Sequence, residues 1–329
     1  MNREHVMNKR YLKIKFIALN MIIFLLVLLC MRVGSINLSL KEIVLGLISG
    51  KSQEVEIIRV VRLPRIFVSL LTGAMLATSG VLLQAVMKNP LADPGIIGIS
   101  AGANFMSKLV LILCPTLFLS TPLFSLLGGL TACALVYAFS YQKGFEPKQM
   151  ILAGIAINAL FEALGEVVSY MNASSLMSSL GSTTQTTKSW STVILMTVYG
   201  AIGLGLAMML AKKCDLLGLG EKNALSLGIN VNLQRLIISG VAVLLAIIPT
   251  SQVGMISFVG LVVPHLSRLL VGEGYRIVIP FSALLGGALL LLADFLGRTV
   301  IYPFEIPIGV MMSLLGAPFF LYMLRKGKK

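Results

Sequence analysis

Ten long apolar runs, separated by short polar breaks, set the pattern of this chain. The first extends from about Phe16 to Val33. Nine more follow at approximately 64–87, 95–113, 119–140, 149–171, 191–211, 235–250, 256–270, 277–297 and 306–324. Most approach the ~20 residues a helix needs to cross a ~30 Å hydrocarbon core, so the pattern predicts about ten membrane-spanning helices. The runs near 235–250 and 256–270 are short and are parted by Pro249-Thr250-Ser251-Gln252-Val253-Gly254. Such broken segments are tolerated at membrane depth only where protein or a water-filled cavity surrounds them. Residues 36–61 are mixed. Within them Leu38–Ile48 has apolar residues at helical spacing but is too short to span, which predicts an amphipathic helix on the outer surface.

The sharpest break joins the second and third runs. Arg62-Leu63-Pro64-Arg65 opens a long apolar stretch that ends at Lys88-Asn89-Pro90-Leu91-Ala92-Asp93-Pro94-Gly95, and the next apolar run begins at once. Two prolines and an aspartate in so short a break mark a turn just outside the membrane, and the whole reads as a helical hairpin.

Composition makes the class firm. Of the 329 residues 57% are hydrophobic and 12% charged, and the mean hydropathy is +0.93. Soluble domains carry about 25% charged residues. The expected fold class is therefore an all-α polytopic membrane protein, with residues 1–329 forming a single transmembrane domain. The net charge of +14 invites a nucleic-acid partner, but the basic residues sit in short clusters between apolar runs, with no basic face and interleaved aromatics. That distribution is expected of helix ends held on the cytoplasmic side.

Ten spans place both termini on one side, and charge decides which. The segments 1–15, 88–94, 141–148, 212–235, 268–276 and 325–329 hold 18 of the 27 Lys and Arg residues. Both termini are therefore expected in the cytoplasm, with 1–15 as a cytoplasmic N-terminal segment. A cleaved signal peptide fits residues 1–33 less well, because the apolar part is long and no A-x-A site follows. Six of the remaining nine basic residues fall between Arg32 and Arg65, on the outer side. That exception needs an explanation.

Candidate chemistry is sparse. Cys30, Cys114, Cys133 and Cys214 are widely spaced, and His5 and His265 are too few and too distant for a metal site. Gly46-Leu47-Ile48-Ser49-Gly50-Lys51-Ser52 has three residues between its glycines where a phosphate-binding loop needs four, so the chain has no nucleotide site of its own. No hydrolase, kinase or metalloprotease motif is present. Inside the spans, Lys108 can snorkel from near a helix end. Asp294 is placed to pair with Arg298 at i, i+4. Glu162 and Glu166 share one face of the fifth span, and two readings stand: a face lining a hydrated pathway, or acids near a helix end or bonded between helices. The segment 212–234 is the longest cytoplasmic connection. Its middle, Glu221–Leu227, has good helix formers bracketed by Gly220 and Gly228, which predicts a short surface helix that a cytosolic partner could grip, with a solvated loop as the plainer alternative.

Taken together, RLPR at 62–65, Ser79-Gly80 with Gln84, and NPLADPG-x-x-G-x-S-x-GA from Asn89 to Ala103 resemble the signature of the FecCD family. These are the membrane permeases of ABC importers for ferric siderophores, haem and cobalamin. Similar segments continue at 151–160, 223–231, 256–272, 290–300 and 305–324, so the resemblance covers roughly residues 55–324 in family order. It implies a type II ABC importer permease fold with ten helices, in a bacterial cytoplasmic membrane. It also implies a second permease subunit (another copy or a paralogue), two cytosolic ABC ATPases that bind ATP and Mg, and an extracytoplasmic binding protein. This chain would hold no cofactor and do no bond chemistry.

The resemblance further assigns roles. Arg62, Arg65 and Arg298 match arginines that meet glutamates on the binding protein, in bidentate pairs that fix orientation; anchoring to lipid phosphates is the alternative. Gly220, Ala224, Leu227 and Gly228 match the loop that couples to each ATPase. Asn89 and Leu91 fall at the cytoplasmic gate. Helices five and ten would line the path, where Glu162 and Glu166 depart from a largely neutral lining. The implied cargo is an iron chelate, with ferric siderophores ranked ahead of haem and both ahead of cobalamin. The rival is an ion-coupled secondary transporter using Glu162 and Glu166 as a relay.

Overall fold

The computed structural model describes residues 9–33, 56, 58–95, 97–114, 121–140, 147–171, 189–219, 221–226, 228, 230–302 and 304–326. The amphipathic segment expected at Leu38–Ile48, together with Gly220 and Leu227, lies outside them. The described elements are helical throughout: α1 (Lys9–Arg32), α2 (Leu63–Met87), α3 (Ile99–Leu113), α4 (Thr121–Ser140), α5 (Pro147–Met171) and α6 (Trp190–Gly218), then the short α7 (Glu221–Ser226), and finally α8 (Val231–Val253), α9 (Val259–Val271), α10 (Tyr275–Thr299) and α11 (Ile308–Lys326). Seven are long and apolar enough to cross a membrane, namely α1, α2 with its preceding turn, α4, α5, α6, α8 and α10. The helices α3, α9 and α11 are shorter apolar elements.

The core is built around α2. A π turn over Ile58–Arg62 runs directly into it, and Pro64 stands in its first turn, where a missing N–H costs no helical bond. From Thr72 to Met87 it is buried almost without interruption, against α10, α8, α6 and α9. Glycine permits that closeness. A Cβ on Gly73 would fall 2.1 Å from the Gly286 carbonyl oxygen of α10, and one on Gly80 would fall 2.1 Å from the Gly260 oxygen of α9. Lipid tails give no hydrophobic drive to helix pairing, so close backbone packing of small residues supplies it. Gly102 of α3 and Gly128 of α4 repeat the device, whereas Gly98 lies against Asn158 of α5. By contrast α1 is peripheral, meeting α10 through an edge-to-face contact of Phe16 and Phe281 at 5.2 Å.

Three elements depart from the apolar pattern. Helix α6 continues to Gly218, so the connection expected from residue 212 begins only after it; Lys212 and Lys213 are good helix formers and continue the helix past the apolar run. Helix α8 starts at Val231 rather than near 235. Asn230 caps it by accepting the Leu233 N–H at 3.1 Å. Arg235, which reads as a polar boundary, is instead 1% exposed inside the helix. The same helix carries Pro249 and runs on to Val253. Around that proline, Thr250 Oγ1 donates to the Ala246 carbonyl at 2.8 Å and Ser251 Oγ to the Ile248 carbonyl at 2.8 Å, satisfying acceptors near the break. The run expected at 256–270 is a half-helix: residues 254–258 are non-helical, Phe258 adopts φ 71, and α9 begins only at Val259.

The turn expected between the second and third runs is present, and its second half is packed inside the protein. Ala92, Asp93, Pro94 and Gly95 are buried, and the chain after Leu91 folds back into the bundle. Its depth is set by Gly260, whose Cβ position lies 2.8 Å from Asp93 Oδ2 and 2.9 Å from Pro94 Cδ. The polar and proline residues that make the turn thus fold back into the bundle, as a segment re-entrant with respect to the protein.

Candidate functional site

Two ends of α2 carry distinct chemistry. At its start, Arg62 and Arg65 meet Arg298 from the last turn of α10. Arg65 Nη2 lies 2.9 Å from Asp294 Oδ1, and its Nη1 lies 2.9 Å from Glu305 Oε2. Arg65 Nε adds a second bond to Asp294 Oδ1 at 3.0 Å. Arg298 Nη2 lies 3.2 Å from Asp294 Oδ2, so the expected pair exists as half of a larger network. Arg62 Nη1 donates to the Met31 carbonyl of α1 at 2.6 Å. Arg62 and Arg65 are 5% and 6% exposed. In the single chain these guanidinium groups therefore turn into the bundle and tie α1, α2, α10 and the segment before α11 together. Among the described residues Arg32 and Arg59 are exposed at this end, as are Glu56 and Glu305. Sequence reasoning missed Glu305 and the Arg65–Asp294 pair, because the partners are more than 200 residues apart and no local spacing joins them.

At the other end, Asn89 Oδ1 accepts the Leu91 N–H at 2.9 Å, a local turn that leaves Leu91 37% exposed. The buried part follows, with Asp93 Oδ1 accepting the Gly95 N–H at 2.8 Å. Asp93 is 1% exposed and lies against the first turn of α9. There its carboxyl group stands beside a helix N-terminus whose own cap, Phe258, offers no side-chain acceptor. Gln84, one turn before the end of α2, bonds both this segment and α9. Its motif position was visible in the sequence, but its partners were not.

The face formed by Glu162 and Glu166 borders a cavity of about 230 Å³ between α3, α5 and the 254–258 segment. Asn104, Lys108, Phe161 and Met255 share its wall. Lys108 Nζ donates to Ser169 Oγ, in the last turn of α5, at 3.2 Å, which ties the cation to the helix that carries the two acids. Both glutamates are exposed in the single chain, on a helix that also exposes Leu152, Ile155, Val167 and Tyr170. The structure thus joins Glu162, Glu166 and Lys108, three residues that the sequence treated separately.

The short helix expected near 221–227 is present as α7, ending at Ser226. Ala224 is fully buried against its own chain, while Gly228 is exposed and adopts φ 74, a conformation that favours glycine.

Comparison with known proteins gives concordant results. The chain matches the FecCD transport family over residues 22–326. It is 36% identical over 324 residues to the probable heme-iron transport system permease protein IsdF of Staphylococcus aureus strains MSSA476 and Newman, covering 98% of this chain and 99% of each relative. Among solved structures, an inward-facing protein assigned to the metal-chelate type of ABC transporter superposes with a TM-score of 0.83 at 31% identity, over 95% of this chain and 99% of that one. PsaBC from Streptococcus pneumoniae, solved with a Fab, shares the fold with a TM-score of 0.60 at 21% identity, over 86% of this chain and 95% of that one.

Proposed function

Because the chain belongs to the FecCD transport family, we propose that it is the permease subunit of an ATP-binding cassette importer for an iron chelate, with haem the foremost cargo. The observation that carries this reading is the near full-length match to heme-iron permeases at 36% identity. It reverses the order drawn from the sequence, which ranked ferric siderophores ahead of haem. The chain does no bond chemistry. ATP is hydrolysed by two partner ATPases, and a second permease subunit completes the path.

Within this reading, cargo arrives at the end of the bundle that carries Arg62, Arg65 and Arg298. Their buried network fixes the geometry of that surface, and the binding protein docks on it, in contact with exposed groups such as Arg59. The α5 face with Glu162 and Glu166 lines the path. Asn89 and Leu91 stand at the inner gate. The 218–230 connection, with Gly220, Ala224, Leu227 and Gly228, engages the ATPase. Burial of Ala224 gives it a packing role there, seating α7 on α6 and α8 so that movement at the ATPase becomes rigid-body movement of helices.

The test is reconstitution. The chain, its genomically adjacent ATPase and the adjacent binding protein are placed in proteoliposomes, and haem uptake is followed. ATP-dependent uptake that requires all three components is the expected result. Uptake driven by a proton or sodium gradient without the ATPase would overturn it in favour of a secondary transporter.

A further inference from the structure

The re-entrant segment after Leu91 is fastened to α9 by one buried amide. Gln84 is 4% exposed, and both polar atoms of its side chain are occupied. Its Nε2 donates to the Gly260 carbonyl at 3.0 Å and to the Ala92 carbonyl at 3.4 Å. Its Oε1 accepts from Arg268 Nη1 at 2.5 Å. Those three partners come from the first turn of α9, the re-entrant segment and the last turn of α9. The bond from a charged donor is the strongest kind in the set.

Arg268 has a second contact. Its guanidinium lies 5.9 Å from the ring centroid of Tyr275, the first residue of α10. The Tyr275 N–H in turn donates to Asp215 Oδ1 at 3.0 Å. Asp215 lies in the last turn of α6, directly before α7. A continuous set of directional contacts therefore runs from the α6–α7 end, through the start of α10 and the end of α9, to the segment that begins at Asn89.

We infer that Gln84 and Arg268 are positioning residues that latch the re-entrant segment to α9, so that the gate moves only with α9 and with the α6–α7 end. The inference rests on the importer reading above, in which that end meets the ATPase. Its physical basis is the cost of partial release. Moving the segment alone would leave the Ala92 carbonyl and one of the two Gln84 amide hydrogens unpaired in the core, whereas moving segment, Gln84 and α9 as one body keeps every bond. Asp93 against Gly260 and the contact of Gly80 with Gly260 hold the same body at its other end.

Two measurements on the complete transporter test this. In proteoliposomes containing the partner ATPase and binding protein, Gln84→Leu and Arg268→Gln should lower haem imported per ATP hydrolysed about tenfold. Arg268→Lys, which keeps a cationic donor, should restore most of that ratio, which mere loss of folding would not. Independently of cargo, Leu91→Cys in a Cys114→Ser background is labelled with a membrane-impermeant maleimide, without nucleotide and after ATP–vanadate trapping. An intact latch gives labelling that differs between the two states, and Arg268→Gln makes it equal in both. Nucleotide-dependent labelling that persists in Gln84→Leu and Arg268→Gln would overturn the inference, as would an unchanged haem-to-ATP ratio. Absence of haem uptake by the unmodified transporter would instead refute the proposed cargo, and the labelling would still decide the latch. Should Gln84→Leu fail to assemble with the ATPase, Arg268→Gln, altered at a half-exposed side chain, carries both readouts.

Discussion

Asp294 is 2% exposed, and two guanidinium groups converge on its carboxylate. Buried charges of this kind are costly to desolvate, so the network adds little net stability over an apolar replacement, yet removal of one member leaves the others uncompensated. Asp294→Ala is therefore expected to destabilise the protein by about 3–5 kcal/mol, read as a fall in melting temperature of the detergent-solubilised transporter. Arg59→Ala, at an exposed position, should change stability by no more than ~0.5 kcal/mol while weakening association with the binding protein. Equal melting temperatures for Asp294→Ala and the unmodified chain would remove the structural role assigned to the cluster. Glycines allow a second comparison. Gly80→Ala drives a methyl group into the Gly260 backbone and should cost about 1–3 kcal/mol or more. Gly205 of α6 has nothing within 4 Å of its Cβ position, so Gly205→Ala should be neutral or stabilising by up to about 1 kcal/mol. The contrast in sign is what thermal unfolding of the two variants should show.

Elements were legible in proportion to how plainly an apolar run ends. The ten runs correspond to α1–α6 and α8–α11, and the short α7 appears between the glycines that predicted a helix there. Errors fell where a polar residue is buried or an apolar one is not helical. Arg235 reads as a boundary and sits in the core, so α8 begins earlier than its apolar run. Phe258 and its neighbours read as a span and form an irregular segment. The NPLADPG stretch reads as a turn and is one, but the burial of its second half was not visible, because turn chemistry is the same whether water or protein surrounds it. Of the candidate site, residue types were visible and partners were not. Glu162 and Glu166 follow from helical spacing, whereas Lys108 joins them only through packing of α3 on α5. The connection after α7 gives an element-scale test. Gly228 holds φ 74 with open space around its Cβ position, so Gly228→Ala meets backbone strain alone, about 1–2 kcal/mol. Binding-protein-stimulated ATP hydrolysis should fall in that variant while the ATPase still copurifies. Unchanged stimulation would show that the left-handed turn is not needed for coupling.

For the molecule as a whole, the proposal that the α5 face lines the path raises the question of how an iron chelate would pass two carboxylates. Haem carries two propionates, so Glu162 and Glu166 oppose its entry electrostatically, and Lys108 on the facing wall favours it. Water in a transport path screens both effects, since interactions that would be several kcal/mol in a dry interior fall to about 1 kcal/mol in water-like surroundings. The net influence on rate is then within about tenfold, a tuning of selectivity and not an absolute filter. Removing the acids should raise transport of the anionic chelate relative to a neutral ferric hydroxamate, and removing the cation should lower it. The double variant Glu162→Gln/Glu166→Gln and the single variant Lys108→Gln are to be compared by the ratio of haem to neutral-chelate uptake at fixed ATP. Opposite displacements of that ratio would tie this cavity to the route of the cargo, because a wall facing lipid or another helix has no means of distinguishing the two chelates. An unaltered ratio in both variants would take Glu162 and Glu166 out of the path, leaving the α5 face to contact the second permease subunit.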